Sequence, residues 1–304
     1  MSRSRAWAEL LRLPALFTVP GDALSGAAAT GVAPNSRTLL AIGSSLCLYE
    51  AGMALNDWAD REEDAAERPH RPLPSGRIQP SSALAAACAL TAAGLALAAR
   101  AGRPALTVAA PLAATVWAYD LALKHTPAGP VAMAAARGLD HLLGAAATSG
   151  RTREALPSAA LLGTHTLAVT TVSRRETQGG SSLPPLAALA ATALLSRLVA
   201  RGRAAAGAGT GPGTAAHDRP ALTLDGALRI ALAGAYAATA GRPYAHAALN
   251  PSPPLTQRAV GGGIRATIPL QAALAARAGA GLTAVAIAAL APIGRRYARK
   301  VSIT

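Results

Sequence analysis

The sequence predicts an all-α fold: a polytopic membrane bundle of nine to ten transmembrane helices, forming one domain over residues 1–304. Three observations predict it. Hydrophobic residues make up 51% of the chain and charged residues only 14%, against about 25% charged in soluble domains. Apolar stretches recur from end to end, each near the roughly 20 residues that cross a bilayer core. Alanine dominates that apolar content, which holds mean hydropathy to +0.30 while still suiting close packing between membrane helices.

The first helix is read over 7–31, where Glu9, Arg12 and Asp22 interrupt any clean signal-peptide core and are expected to face the bundle interior. Further helices follow at 37–57, 81–101, 104–123, 128–149, 155–173, 183–201, 221–240, 256–277 and 278–296. The run "RGRAAAGAGTGPGTAAHDRP" at 201–220 has no apolar period and reads as a flexible connection, and the proline-broken "GRPYAHAALNPSPPLTQR" at 241–258 reads as a loop. Segment 256–277 is the weakest span, because Arg258, Arg265 and Gly261 to Gly263 interrupt it; were it re-entrant, nine spans would remain. Cys47 and Cys88 lie in apolar segments without a CxxC or histidine partner, so they read as packing residues.

The net charge of +14 would suggest nucleic acid in a soluble chain. Here the basic residues punctuate apolar segments and aromatics for base stacking are only 3%, so nucleic acid is excluded and membrane lipids are the expected partners; no protein partner is predicted. With the N-terminus in the cytoplasm, the more basic side carries Arg3, Arg5, Arg61, Arg68, Arg71, Arg77, Lys124, Arg174 and Arg175. The positive-inside rule then predicts a multi-pass protein of the cell membrane with that side cytoplasmic.

One stretch departs from the apolar background. "NDWADREEDAAERPHRPLPSG", residues 56–76, gathers six acids and several arginines. At 100° per residue Asp57, Asp60 and Asp64 fall on one helical stripe. Three carboxylates there repel one another, and the C-terminal helix dipole adds to the penalty, so a cation is the natural remedy. Oxygen ligands without His or Cys suit Mg²⁺. Asn56 is placed to orient a carboxylate or a metal-bound water, while Pro69, Pro72 and Pro74 turn Arg68, Arg71 and Arg77 back toward the acids. Arginine forks match phosphate oxygens, so the pattern describes a diphosphate site. The competing reading is a solvated loop in which Arg61 and Arg68 pair with Asp57 and Asp64.

"NDWADREEDAAERPHRPLPSGRI" resembles the first aspartate-rich motif of the UbiA superfamily of intramembrane prenyltransferases, where NDxxDxxxD ends the second helix and an RP(L/I)(P/S)SG turn follows. The resemblance implies that Asp57, Asp60 and Asp64 hold Mg²⁺ against an isoprenoid diphosphate, supported by Asn56. "YDLALKHTPAGPVAMAAARG", 119–138, is similar to the family's segment after helix four, where a Tyr and a Lys flank the diphosphate; Tyr119 and Lys124 match. Arg137 and Asp140, three apart in helix five, suit an intramembrane ion pair facing a polar cavity.

The expected second aspartate-rich motif is degenerate: "TTVSRRETQGGSS", 170–182, offers Glu176 alone, beside Arg174 and Arg175. Either the arginines neutralise the diphosphate in place of a second metal, or ionisation is weakened. The SRxExxGG form with LKxTPAGP resembles the EboC-like branch of the superfamily. The resemblance therefore implies Mg²⁺-dependent transfer of an isoprenoid group to an unidentified lipophilic or small-molecule acceptor. A CDP-alcohol transferase is disfavoured, since "DGALR" at 225–229 lacks that family's AR and following acids. A transport or lipid-handling protein, or a non-catalytic relative, stays open.

Overall fold

Prolines open most of the described helices, and glycines, Gly102 and Gly150, close two of them, as their backbone limits allow. The computed structural model describes residues 3–176, 179–201 and 223–300, and all regular structure among them is helical. The helices are α1 (Arg3–Leu10), α2 (Pro20–Ala29), α3 (Ser36–Ala59), α4 (Arg61–Glu67), α5 (Pro80–Ala101), α6 (Arg103–Ala118), α7 (Gly129–Ser149), α8 (Leu156–Ser173), α9 (Leu183–Ala200), α10 (Leu224–Leu249), α11 (Pro253–Arg277) and α12 (Gly281–Lys300). Proline occupies the first or second position of α2, α5, α6, α7, α8, α9 and α11. Gly150, at φ 77°, ends α7 in the left-handed conformation. Asn35 caps α3 by a reciprocal box with Thr38.

Among the described residues, five helices are long and apolar enough to cross a membrane: Ser36–Ala59, Pro80–Ala101, Arg103–Leu123, Arg153–Ser173 and Leu183–Ala200. The connection read at 201–220 lies outside the described residues apart from Arg201.

Two expectations are corrected, and the helix read at 256–277 is observed. Residues 7–31 do not form one helix: Arg12 adopts a left-handed backbone (φ 48°, ψ 44°), and a 3₁₀ turn, Leu13–Thr18, separates α1 from α2. Pro20 lacks the N–H that an unbroken helix would use. Segment 241–258 is largely helical, because α10 continues through Pro243 to Leu249 and α11 begins at Pro253. Segment 256–277 is uninterrupted, and its glycines form a contact face. A Cβ on Gly262 would lie 2.7 Å from the Pro243 ring, and one on Gly263 would meet the Tyr244 hydroxyl. The closeness of α10 and α11 offsets a proline penalty of about 3 kcal/mol.

Buried polar side chains tie the layers together. His165 of α8 meets the Tyr236 hydroxyl at 3.1 Å and the Gly263 carbonyl at 3.0 Å, linking α10 and α11. His141 of α7 lies between Ser25 of α2 at 3.1 Å and Ser158 of α8 at 2.7 Å. Cys47 is half-buried and Cys88 exposed, both as free thiols.

Candidate active site

At one end of the bundle, the C-terminus of α3, α4 and the loop after it meet the segment that follows α6. There α6 passes into a π turn, Tyr119–Leu123, closed by the Lys124 N–H donating to the Tyr119 carbonyl at 2.9 Å. In an α-helix, residues five apart diverge by about 140°. The wider turn brings Tyr119 and Lys124 nearer to one face, and turns of this kind are frequent at functional sites.

The three predicted carboxylates gather here, but not on one stripe. α3 ends at Ala59, and Asp60 (φ −88°, ψ 5°) forms the junction to α4. Asp57 and Asp64, 5% and 3% exposed, share Arg71, whose Nη1 lies 3.7 Å from Asp57 and 2.6 Å from Asp64. Asp57 also pairs with Arg12 at 3.2 Å, and Asp64 with Arg68 at 3.5 Å. Asp60 turns aside and pairs with Lys124, with His125 at 4.0 Å. The helix break lets each carboxylate meet a cation where a continuous stripe would set them against one another. Arg61 contacts Glu62 and the Trp58 carbonyl, so of the two pairs in the solvated-loop reading only Arg68–Asp64 forms.

Other predicted residues divide. The Asn56 amide donates to buried Asp120 at 3.1 Å. Tyr119 lines the adjoining cavity. Arg77 does not reach the acids: it binds Glu9 of α1 through two N–H groups at 2.7 and 3.1 Å, and its hydrogen bond holds the Glu9 carboxyl below its ordinary value. Arg137 pairs with Asp22 of α2, so its ion pair crosses between helices where an i,i+3 contact to Asp140 was expected. Arg174 donates to the Thr126 carbonyl, and Arg175 is exposed. Glu176 is half-buried; burial pushes its carboxyl up while Arg68 opposes the shift.

Two site residues escaped the sequence reading. Arg12 looked like a mere interruption, and only its backbone reversal carries it to Asp57. Asp120 had a usable signal, being an acid inside an apolar segment. Both line a cavity of about 260 Å³ between α3, α6 and α7, with Asn56 and Tyr119 beside them and Leu48, Met53, Leu112 and Val116 as apolar walls. Asp120 also borders a more polar cavity of about 400 Å³ with Asp60, Glu63, Lys124 and His125. Asp60, Glu63 and His125 offer ligand atoms within 4.8 Å of one another. Asp57, Asp60 and Asp64 carry hard oxygens of the kind Mg²⁺ takes, but among the described residues it is Asp60 and Glu63, with His125, that lie close enough to share one ion.

Residues 15–200 match the model of the UbiA prenyltransferase family. The chain belongs to this family. Among its UbiA relatives are the digeranylgeranylglyceryl phosphate synthases of Methanopyrus kandleri, 36% identical over 128 residues (40% of this chain, 45% of the relative), and of Methanothrix thermoacetophila, 36% identical over 145 residues (46% and 54%). The chain thus spans about half the length of the curated relatives it matches. An apo UbiA homolog from Aeropyrum pernix superposes with a TM-score of 0.64 at 19% identity, covering 88% of this chain and 96% of that one. A UbiA homolog from Archaeoglobus fulgidus bound to DMAPP and Mg²⁺ gives 0.59 at 17%, covering 93% and 99%. The fold is therefore UbiA-like, and with its five apolar spans the chain is a multi-pass membrane protein.

Proposed function

We propose that this UbiA protein is a prenyltransferase that transfers an isoprenoid group from a prenyl diphosphate to a lipophilic or small-molecule acceptor within the membrane. One observation carries the reading: charged residues from three separate segments, Arg12, Asp57 to Arg71 and Asp120 to Lys124, converge on the mouth of a largely apolar cavity. The family match and the neighbour bound to DMAPP and Mg²⁺ support it.

Asp57, Asp60 and Asp64 are the residues that would hold Mg²⁺, which supplies positive charge against the leaving diphosphate. Arg12, Arg68, Arg71 and Lys124 stand beside them as donors to phosphate oxygens, arranged before the reaction where electrostatic stabilisation is most effective. Asn56 fixes Asp120. The walls of Leu48, Met53, Leu112 and Val116 take the isoprenoid chain and keep water from the allylic carbon as its bond to oxygen breaks. The site faces the cytoplasm, in a single domain of nine to ten spans.

Glu176 is the one acid in the segment where the family carries its second motif, and Arg174 is engaged by a backbone carbonyl. That favours, as the second reading, a member that binds the diphosphate without turnover. Purified protein in nanodiscs, given Mg²⁺, prenyl diphosphates and a lipid extract, is expected to release diphosphate and form a prenylated product. Asp57→Ala and Asp60→Ala are each expected to remove that activity while the protein stays folded. Full activity in both variants overturns the assignment, and Mg²⁺-dependent binding without release selects the second reading.

A further inference from the structure

Asp120 is a buried carboxylate that the proposed reaction does not use. It is the second residue of the π turn, Tyr119–Leu123, and of the residues lining the two cavities it alone belongs to both. The polar cavity carries Asp60 and Lys124 on one side of it; the apolar cavity carries Met53, Leu112 and Val116 on the other. A prenyl diphosphate laid across that boundary has its phosphates among the charges and its hydrocarbon among the apolar walls. The carbon–oxygen bond that breaks then falls beside Asp120.

The carboxylate is held in place but has no cation of its own. Asp120 is 4% exposed, and its Oδ1 accepts the Asn56 amide at 3.1 Å. The neighbouring cations are engaged elsewhere, Arg12 by Asp57 and Lys124 by Asp60. Among the described residues no hydrogen bond reaches Oδ2. That oxygen faces Gly52 of the cavity wall, where a Cβ would lie 4.0 Å from it and 3.0 Å from Val116 Cγ1. The missing side chain leaves room in front of Oδ2 for a ligand atom. Orienting Asn56 takes one hydrogen-bond acceptor, which a neutral amide would provide at lower desolvation cost than a carboxylate. An isoprenoid chain against Oδ2 would leave that oxygen unpaired, whereas an O–H on a ligand would satisfy it.

We infer, resting on the reading of the mouth as a prenyl diphosphate site, that Asp120 is the general base of the transfer and that the acceptor is a hydroxyl compound. The acceptor enters the apolar cavity, which is not enclosed, and its O–H donates to Oδ2. The bond from the allylic carbon to the diphosphate oxygen breaks, and its electron pair leaves with the diphosphate. The acceptor oxygen bonds to the same carbon while its proton passes to Oδ2. The products are a prenyl ether, a diphosphate and a protonated Asp120, which returns its proton to solvent through the polar cavity. Nothing is oxidised or reduced. Asn56 is a positioning residue, holding Oδ1 so that Oδ2 is turned to the acceptor.

The test gives the full-length protein in nanodiscs Mg²⁺, radiolabelled geranyl diphosphate and a lipid extract, and reads donor binding and prenylated product separately. Asp120→Asn keeps an oxygen for the Asn56 amide but takes no proton. It is expected to slow transfer about 100-fold or more while donor binding stays within about twofold of wild type. Transfer within about threefold of wild type overturns the base. A loss of donor binding in step with transfer overturns it too, because Asp120 would then serve the diphosphate. Two measurements on the wild type stand should the variant fail to fold. Single-turnover transfer is expected to be slower in heavy water, and an unchanged rate contradicts proton transfer to a base. Fragmentation of the product by mass spectrometry is expected to show a carbon–oxygen link; a carbon–carbon or carbon–nitrogen link overturns the hydroxyl acceptor. Donor binding without product selects the second reading of the function and overturns this inference alone. Failure of the wild type to bind geranyl diphosphate overturns the reading of the mouth, and this inference with it.

Discussion

Asp57 and Asp64 sit almost wholly out of solvent, and what makes that tolerable is the set of guanidinium groups around them. Arg12 contributes to that set only because its own backbone is left-handed, a conformation that costs a non-glycine residue about 1 kcal/mol or more. Replacing it with glycine keeps the turn and removes the guanidinium. Arg12→Gly relieves the backbone strain but leaves buried Asp57 with Arg71 alone, so it is expected to lower stability by about 1–3 kcal/mol and to weaken prenyl diphosphate binding roughly tenfold; a titration beside a melting curve checks both. At the outer edge, Arg77 and Glu9 fasten the loop after α4 to α1. The arginine holds the Glu9 carboxyl below its ordinary value of 4.5, so the bridge stabilises the fold fully above that pH and is lost as the pH falls through the lowered value. The stability difference between wild type and Glu9→Gln, followed by chemical unfolding, should be full at about pH 6 and shrink as the pH is taken below 4.5 through the lowered value.

Helix contacts explain what the sequence pattern made legible and what it did not. Apolar periodicity placed α3, α5, α6, α7, α8 and α9 within a few residues, because in each the apolar run is bounded by a cap, a proline or a glycine. It failed at Pro243 and at Gly261 to Gly263, where local propensity opposes a helix and contact between α10 and α11 overrides it; such a contact between distant segments has no local signature. It failed again before Pro20, where polar residues in one apolar stretch concealed a reversal of the chain at Arg12. The glycines of α2 and α7 carry a prediction of the same kind. A methyl group at Gly144 meets the backbone of Ala23, which has no side-chain freedom with which to yield. Gly144→Ala should destabilise the detergent-solubilised protein by about 1–3 kcal/mol. Gly234→Ala in α10, with open space at the Cβ position, should not lower the melting temperature at all.

For the molecule as a whole, the decisive stretch of chemistry was the easiest to find. NDxxDxxxD lies in a stretch, 56–76, that holds six of the chain's 15 acids, and the separate resemblance of segment 119–138 pointed to Tyr119 and Lys124. The spacing could not reveal how charge is balanced: Asp60 turns to Lys124 and Arg71 bridges Asp57 and Asp64 only after α4 and the π turn have folded together. Nor did it show that the arginine of helix five answers to Asp22 on the far side of a cavity. On the proposed reading, a cluster in which carboxylates and cations nearly cancel takes up a metal and a polyanion together, each making the other's binding more favourable. Equilibrium binding of geranyl diphosphate to the purified protein, with Mg²⁺ and with chelator, in wild type and in Asp57→Asn, tests this most directly. Binding that requires Mg²⁺ and is lost in the variant is expected; equally tight binding with the metal chelated, or in Asp57→Asn, would contradict the assignment of these aspartates.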